Sequence, residues 1–309
     1  MPKPILVGHD PSSTDQAPVE FGVAAARFTG APLIVASVYG SSTAAGADGR
    51  DLVEDQLPDD AGESLDDLKR RLDADSVEAE CRSLPGTSAP RALHQAAEEL
   101  DVGLLVVGST DRGAAGRVLL GSTAQRLMHG APCPIVVVPH GWQAGGGVST
   151  IGVAFVDTPE GHEALNGAVA LARRAGARLR VLSAAKEKGF GNTFGGGDAL
   201  TPATTYADVG SAVRAAAEQT AQAAVADASG VDIEFDVSVG DPADFLVAAS
   251  ERLDLLICGS RGYGPARAVL LGGVSRRVTA EAQCPVIVLA RGTEAGLEAL
   301  IEEPAGTAG

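Results

Sequence analysis

Lysine is nearly missing from this chain: Lys3, Lys69, Lys186 and Lys188 are the only four in 309 residues. A phosphate loop of the G-x-x-x-x-G-K-[ST] kind needs a lysine beside its glycines, and none of the four stands there, so P-loop hydrolysis is excluded. Basic residues number 24 against 40 acidic ones, a net charge of -16. Affinity for a phosphate backbone comes from Lys and Arg displacing counterions, so nucleic acid is not an expected partner. Cysteine is also scarce, and Cys81, Cys133, Cys258 and Cys284 form no C-x-x-C pair. Each lies in or beside an apolar run, which reads as a reduced, buried thiol rather than a zinc or disulfide framework. The five histidines (His9, His94, His129, His140, His162) are scattered without metal-ligand spacing, so surface or packing roles are expected and no protein-bound metal. No apolar run approaches the roughly 20 residues of a membrane span, and "MPKPILVGHD" carries no basic-then-apolar signal pattern, so a cytoplasmic protein is expected. What the chain does have is 39 glycines and 45% hydrophobic residues, the composition of a globular protein rich in small side chains.

The chain is written twice. "PILVGHDPSS" from Pro4 answers "TIGVAFVDTPE" from Thr150, two strand patterns that end towards Asp10 and Asp157. "GAPLIVASVYG" answers "GARLRVLSAAK", "VGLLVVGS" answers "LDLLICGS", and "APCPIVVVP" answers "AQCPVIVLA". Two like domains are expected, residues 1–142 and 148–291, joined by the Gly-rich "HGWQAGGGVS" and followed by an acidic, solvated tail at 292–309. Short apolar runs place strands at 4–9, 32–38, 77–83, 103–107 and 134–138, then at 150–156, 178–184, 232–238, 254–258 and 285–289. Ala-rich amphipathic stretches lie between them; "DPADFLVAASERL" opens with Asp241 as a cap and Pro242 at the first helical position. Strand alternating with helix predicts a parallel, doubly wound sheet. Residues 40–63 and 186–209 read as surface excursions. The last strand of each copy would be an exposed apolar edge, so 134–138 is expected to pair with 285–289 inside one chain.

"GSTDRGAAGRVLLGS" from Gly108 and "GSRGYGPARAVLLGG" from Gly259 carry the chemistry. Ligands of such sheets sit beyond the carboxyl ends of the strands, where strand order reverses. Asp10 and Asp157 would form one wall of such a crevice, and the bare backbone at Gly108 and Gly259 the other. The closing glycines, Gly121 and Gly272, precede helical stretches whose first N–H groups are free to bind an anion. A phosphate cradle follows, with an aspartate placed to accept hydrogen bonds from ribose hydroxyls. The plainer alternatives are that the aspartates cap the next helix, that "PSST" after Asp10 does so, and that the glycines only turn a strand into a loop.

Gly, two residues, Gly, nine residues, Gly, then Ser or Thr, after a strand and after an early strand-ending Asp, resembles the ATP-binding branch of the universal stress proteins. The resemblance extends over both copies and implies a tandem pair of Rossmann-like α/β domains. Each would be a five-stranded parallel sheet of order 3-2-1-4-5 with helices on both faces. It further implies ATP, with or without Mg2+, as the bound cofactor. Asp10 and Asp157 would meet the nucleoside, Val38 and Ala184 flank the base, and Val107 and Cys258 pack near it. Gly108, Gly121 and Ser122, with Gly259, Gly262 and Gly272, would serve the phosphates.

The copies differ in two places. Asp111 stands where the pattern has its second glycine, and Gly273 stands where Ser or Thr is expected, with Ser275 as a substitute two residues on. A carboxylate about 5 Å from a phosphate charge costs on the order of 3 kcal/mol at an effective dielectric near 20, against about 1 kcal/mol for one lost hydrogen bond. The second copy is therefore expected to hold a triphosphate better, and the first to be weakened or to accept it only with a metal ion beside Asp111. The expected function is a nucleotide-dependent regulatory module with an adenine nucleotide as partner, and no catalytic residue is assigned. The alternatives are a slow ATPase using Asp111, or a scaffold without ligand; pairing of whole chains into a homodimer stays open.

Overall fold

Apolar runs without polar alternation make strands that must be covered on both faces, and each is followed by a segment able to supply the cover. A computed structural model describes residues 2–39, 59–109, 121–185, 214–215, 218–225, 228–259, 272–289 and 297–300. The first half runs β1 (Ile5–His9), α1 (Ala17–Thr29), β2 (Leu33–Tyr39), α2 (Asp59–Ala74), β3 (Ala79–Pro85), α3 (Ala89–Glu99), β4 (Leu104–Gly108), α4 (Ser122–Leu127) and β5 (Ile135–Val138). The second half runs β6 (Thr150–Ala154), α5 (Pro159–Ala175), β7 (Arg178–Ala185), β8 (Ile233–Val239), α6 (Pro242–Ser250), β9 (Leu255–Gly259), α7 (Gly273–Glu281) and β10 (Val286–Leu289), ending in a 3-10 turn, Leu297–Leu300.

All ten expected strands are present, shifted by at most two residues at either end. Two expectations are corrected. The excursion expected over 40–63 gives way to α2 from Asp59, whose Leu65, Leu68 and Leu72 recur at helical spacing and are all buried; the rest of that excursion, and 186–209, lie outside the described residues. Nor is the acidic tail wholly solvated. Leu297 and Leu300 are 1% and 2% exposed, Leu297 seated over Gly167 of α5 and Leu300 over Gly103 at the start of β4. Glycine at those two places leaves the hollow: an added Cβ would come within 3.0 Å of Leu297 and 2.9 Å of Leu300.

Strand order is β3-β2-β1-β4-β5-β10-β9-β6-β7-β8 in one ten-stranded sheet. Every ladder is parallel except the central one, where β5 and β10 run antiparallel with Val137, Val136 and Ile135 opposite Val286, Ile287 and Val288. Val136 and Ile287 are separated by the same 151 residues as Gly108 and Gly259, so a pseudo-twofold axis passes through that pair. One core layer lies under α1, α2 and α5 and takes Val136, Val138, Ile287 and Leu289; the other lies under α3, α4, α6 and α7 and takes Ile135, Val137, Val286 and Val288. Both apolar layers are therefore continuous across the junction.

The connection between the halves is fastened at each end. Trp142 packs on Phe21 of α1 with ring centroids 5.6 Å apart. At the far end one oxygen of Asp254 accepts the Ser149 N–H (2.7 Å), the Ser149 hydroxyl (2.7 Å) and the Thr150 N–H (2.9 Å). Partial burial pushes the Asp254 carboxyl up, but these three bonds outweigh it and hold the group below the ordinary carboxylate range. A depressed folded-state pKa contributes stability that is present above the unfolded value and is lost as pH falls through the folded one. Asp254→Asn should accordingly lower the thermal midpoint at pH 7 while flattening its decline between about pH 5 and 3. Calorimetry at a series of pH values checks this; parallel curves for the two proteins would contradict it.

Candidate functional site

Next to each other and parallel, β1 and β4 send the chain to opposite faces, β1 to α1 and β4 towards α4. Strand order reverses there, and the diverging connections open a crevice at the carboxyl ends of the strands. The crevice is a cavity of about 530 Å³. Asp10, Val38, Val107, Gly108, Gly121 and Ser122 all line it, so the six first-half positions expected to bind ligand are brought together. Val38 and Val107 supply apolar wall on the α3 side, beside Leu93.

Asp10 does not cap a helix. Its Oδ1 accepts the N–H (2.9 Å) and the hydroxyl (2.6 Å) of Ser12, an Asx-type turn that fixes the carboxylate at the rim. Neither Ser12 nor Ser13 caps α1: Gln16 holds the cap position without a side-chain bond, and the Ala17 N–H goes to Asp15 Oδ1 at 3.2 Å. In the second half the α5 cap is Thr158, whose hydroxyl oxygen accepts the Gly161 N–H at 3.1 Å, while Asp157 pairs with His162 Nε2 at 2.9 Å.

The strand-end glycines serve packing as well. A Cβ on Gly108 would stand 2.9 Å from the Pro18 ring, and one on Gly259 would stand 3.0 Å from the Glu160 carbonyl oxygen, so each glycine lets the next helix start close over its strand. Gly121 (φ -56°, ψ 143°) and Gly272 (φ -59°, ψ 148°) share one extended conformation open to any residue, and Gly121 is buried. With only six residues, α4 has little macrodipole, so an anion at this end would be met by the individual N–H groups of its first turn.

Ladder register separates the halves. Ile5 pairs with Leu104 and Ile151 with Leu255, four residues before Gly108 and Gly259 respectively. Five residues on from these stand Asp10 in the first half and Val156 in the second, so Asp157 lies one residue past the Asp10 register. Val156 is 43% exposed, and α5 begins after a shorter loop than α1 does. Ser275 is 6% exposed and donates its hydroxyl to the Gly259 carbonyl (3.3 Å), bolting α7 to β9, so the proton a phosphate would need is already given. A Cβ on Gly273 would meet open space, so nothing in the packing forbids the serine that the first half has. Ala184 is partly buried near the end of β7, and Cys258 is 2% exposed in the same layer as Val107. Gly262 and Asp111 lie outside the described residues.

Burial pushes the thiols of Cys133, Cys258 and Cys284 up to about 12, which leaves them unreactive packing groups. Among the described residues no cluster of three or more His, Cys, Asp or Glu could hold a metal ion. Sequence reasoning missed three ionisable groups that line the crevice: His9, Asp15 and His140. His9 shared its strand end with Asp10, a signal that could have been used; nothing local marked the other two. Burial lowers the His9 pKa below the ordinary value, Asp10 opposing and Arg71 adding to the shift. Among the described residues its Nε2 has no partner, and neither does the hydroxyl of Ser37, its cross-strand neighbour on β2.

The family model described as "Universal stress protein family" matches residues 1–139 and again 147–290. A universal stress protein of Mycobacterium tuberculosis is 31% identical over 140 residues, 44% of this chain and 48% of that protein. One from Mycolicibacterium smegmatis is 31% identical over 196 residues, 60% of this chain and 61% of that one. The chain thus spans about half to three fifths of the length of these relatives. Among solved structures, a protein of unknown function from Pseudomonas aeruginosa superposes with TM-score 0.69 at 15% identity, covering 97% of this chain and 94% of that one. A universal stress protein from Archaeoglobus fulgidus does so with TM-score 0.60 at 18% identity, over 94% and 98%. At these identities the structures speak to the fold alone.

Proposed function

Because this chain belongs to the universal stress protein family, matched over 1–139 and 147–290, we propose that it is an ATP-binding stress-response regulator rather than a catalyst, with the nucleotide held in its first half. The observation that carries this is the convergence of Asp10, Val38, Val107, Gly108, Gly121 and Ser122 on one cavity of about 530 Å³, within the size range of small-molecule sites. Val38 and Val107 offer apolar contact to the base, Asp10 an acceptor for the ribose, and the backbone around Gly108, Gly121 and Ser122 donors for the phosphates. No lysine or arginine is among the described lining residues. The neutral donors of the described lining favour moderate affinity, and Mg2+ carried by the nucleotide would offset the charge of Asp111.

Register argues against the ranking expected from the glycines. In the second half Asp157, Ala184, Cys258, Gly259, Gly272, Gly273 and Ser275 would form the corresponding site; Val156 stands at the register of Asp10 and the Ser275 proton is engaged, which in this reading makes it the weaker of the two. In this reading the halves, residues 1–142 and 148–291, act as each other's partner through β5 and β10. The protein works in the cytoplasm, and occupancy of the first cleft alters the surface it offers to other proteins.

Denaturing the purified chain and identifying what it releases tests the proposal, together with titration of the stripped protein. One unhydrolysed ATP per chain is expected. No binding at millimolar ATP would overturn the nucleotide reading, since even such a site needs only about 4 kcal/mol. Sustained release of ADP would replace the regulator with an enzyme.

A further inference from the structure

We infer that the two halves recognise each other as unlike partners: Phe28 of the first is the receptor for Arg174 of the second, and the pairing through β5 and β10 rejects like halves. The inference deepens the pairing of halves read above and does not depend on the nucleotide. Sheet pairing alone does not choose a partner, because the facing residues of β5 and β10 are all Val or Ile and suit either strand equally. The choice has to be made beside the ladder.

Phe28 and Arg174 hold equivalent positions. Each stands two residues before the left-handed glycine that ends its helix, Gly30 (φ 73°) after α1 and Gly176 (φ 62°) after α5. The arginine before each does the same work in both halves: Arg27 donates to the Asp75 carbonyl at 3.3 Å and Arg173 to the Ser229 carbonyl at 3.2 Å. At the next position the halves part. The Arg174 guanidinium lies 5.6 Å from the Phe28 ring centroid, its Nε donates to the Phe28 carbonyl at 3.2 Å, and its Nη2 donates to the Thr29 carbonyl at 3.2 Å. Carbonyls in the last turn of a helix lack partners within it and lie at the negative end of its dipole, so a cation suits that helix end. A residue in contact with its own equivalent lies beside the pseudo-twofold axis, and in a pair of like halves it would meet a copy of itself. Two second halves would set guanidinium against guanidinium, and two first halves would leave the α1 carbonyls facing a phenyl ring with nothing to donate.

The end of the chain repeats the distinction. Gly103 and Asp254 are equivalent, each donating its N–H at 2.9 Å to the chain entering the first strand of its half, at Pro4 and Thr150. Leu300 follows β10 at the same remove as Ser149 follows β5, and it is seated on Gly103, whereas Ser149 is bonded to Asp254. The chain leaving each half thus ends on the other. With like halves exchanged, the leucine would fall on the Asp254 carboxylate and the serine on the Gly103 hollow. Discrimination of this kind comes as much from the misfit of the wrong partner as from the fit of the right one.

Urea unfolding of the full chain and thiol cross-linking test this. Phe28→Arg sets like charges together and should lower the folding equilibrium constant about tenfold. Adding Arg174→Phe should recover most of that loss, although it removes a second native side chain. A double variant no more stable than Phe28→Arg alone overturns recognition through Phe28 and Arg174 and leaves the β5–β10 pairing standing. For the choice of partner, Phe28→Cys chains at high concentration are treated with a short thiol-specific cross-linker and the links mapped by mass spectrometry. Like halves would bring position 28 of one copy against position 28 of another, and no such link is expected, whereas Phe28→Cys combined with Arg174→Cys should link within one chain. Failure of the link within the chain overturns the contact. A link between copies through position 28 overturns the rejection of like halves, and with it the reading of the halves as partners inside one chain.

Discussion

Ile287→Asp is expected to destabilise the whole chain by about 4 kcal/mol or more, lowering the thermal midpoint by roughly 10 °C. Ile287 is 3% exposed, lies opposite Val136 (0% exposed) in the antiparallel ladder, and lies beside Ile257 in the parallel one. A carboxylate there would be buried among the apolar side chains of that layer. Its damage would not stay local, because the layer that takes Ile287 also takes Val136 and Val138 from the first half and Ile257 and Leu289 from the second. Scanning calorimetry should show one shifted transition. A midpoint within about 2 °C of wild type, or two separate transitions with only the second one moved, would mean that the halves are stable without their common ladder.

Ser122→Asp should weaken MgATP binding on the order of 100-fold while leaving the midpoint within about 1 °C. Ser122 is exposed at the first position of α4 and lines the cleft. An acidic residue at the first turn of a helix is mildly favourable, so the fold tolerates it. A bound phosphate would face a new negative charge about 5 Å away, worth on the order of 3 kcal/mol at an effective dielectric near 20. Equal affinities for ATP in wild type and variant would take the phosphates out of this cleft. Weaker adenosine binding to the same degree would show that the substitution had damaged the pocket rather than repelled the phosphates.

Much of this was legible in the chain. Strands such as "LLVVG" and "IVVVP" announced themselves because burial on both faces leaves no polar alternation. The edge problem of the last strands named its own partner. That the first-half candidate positions share one crevice was legible for a similar reason: they sit at strand ends or just before a helix, and one topological rule brings such ends together. The second half was harder. Asp157 looked equivalent to Asp10 by similarity of words, yet ladder register puts Val156 there. A one-residue displacement of this kind shows only when the neighbouring strand supplies a ruler. Likewise Ser275 offered a hydroxyl by spacing, and the fold had already used it on Gly259.

By itself, then, the order of residues determined the local elements, the duplication and the identity of the groups that end each strand, since these depend on periodicity and near neighbours. Tertiary structure alone decided which distant groups outside those strand-end positions join them or cover them. Asp15 and His140 are 125 residues apart, and Leu300 lies 197 residues beyond the Gly103 it covers. Contacts at such separation follow from the order in which the sheet sets its strands side by side, and leave no trace in any window of sequence.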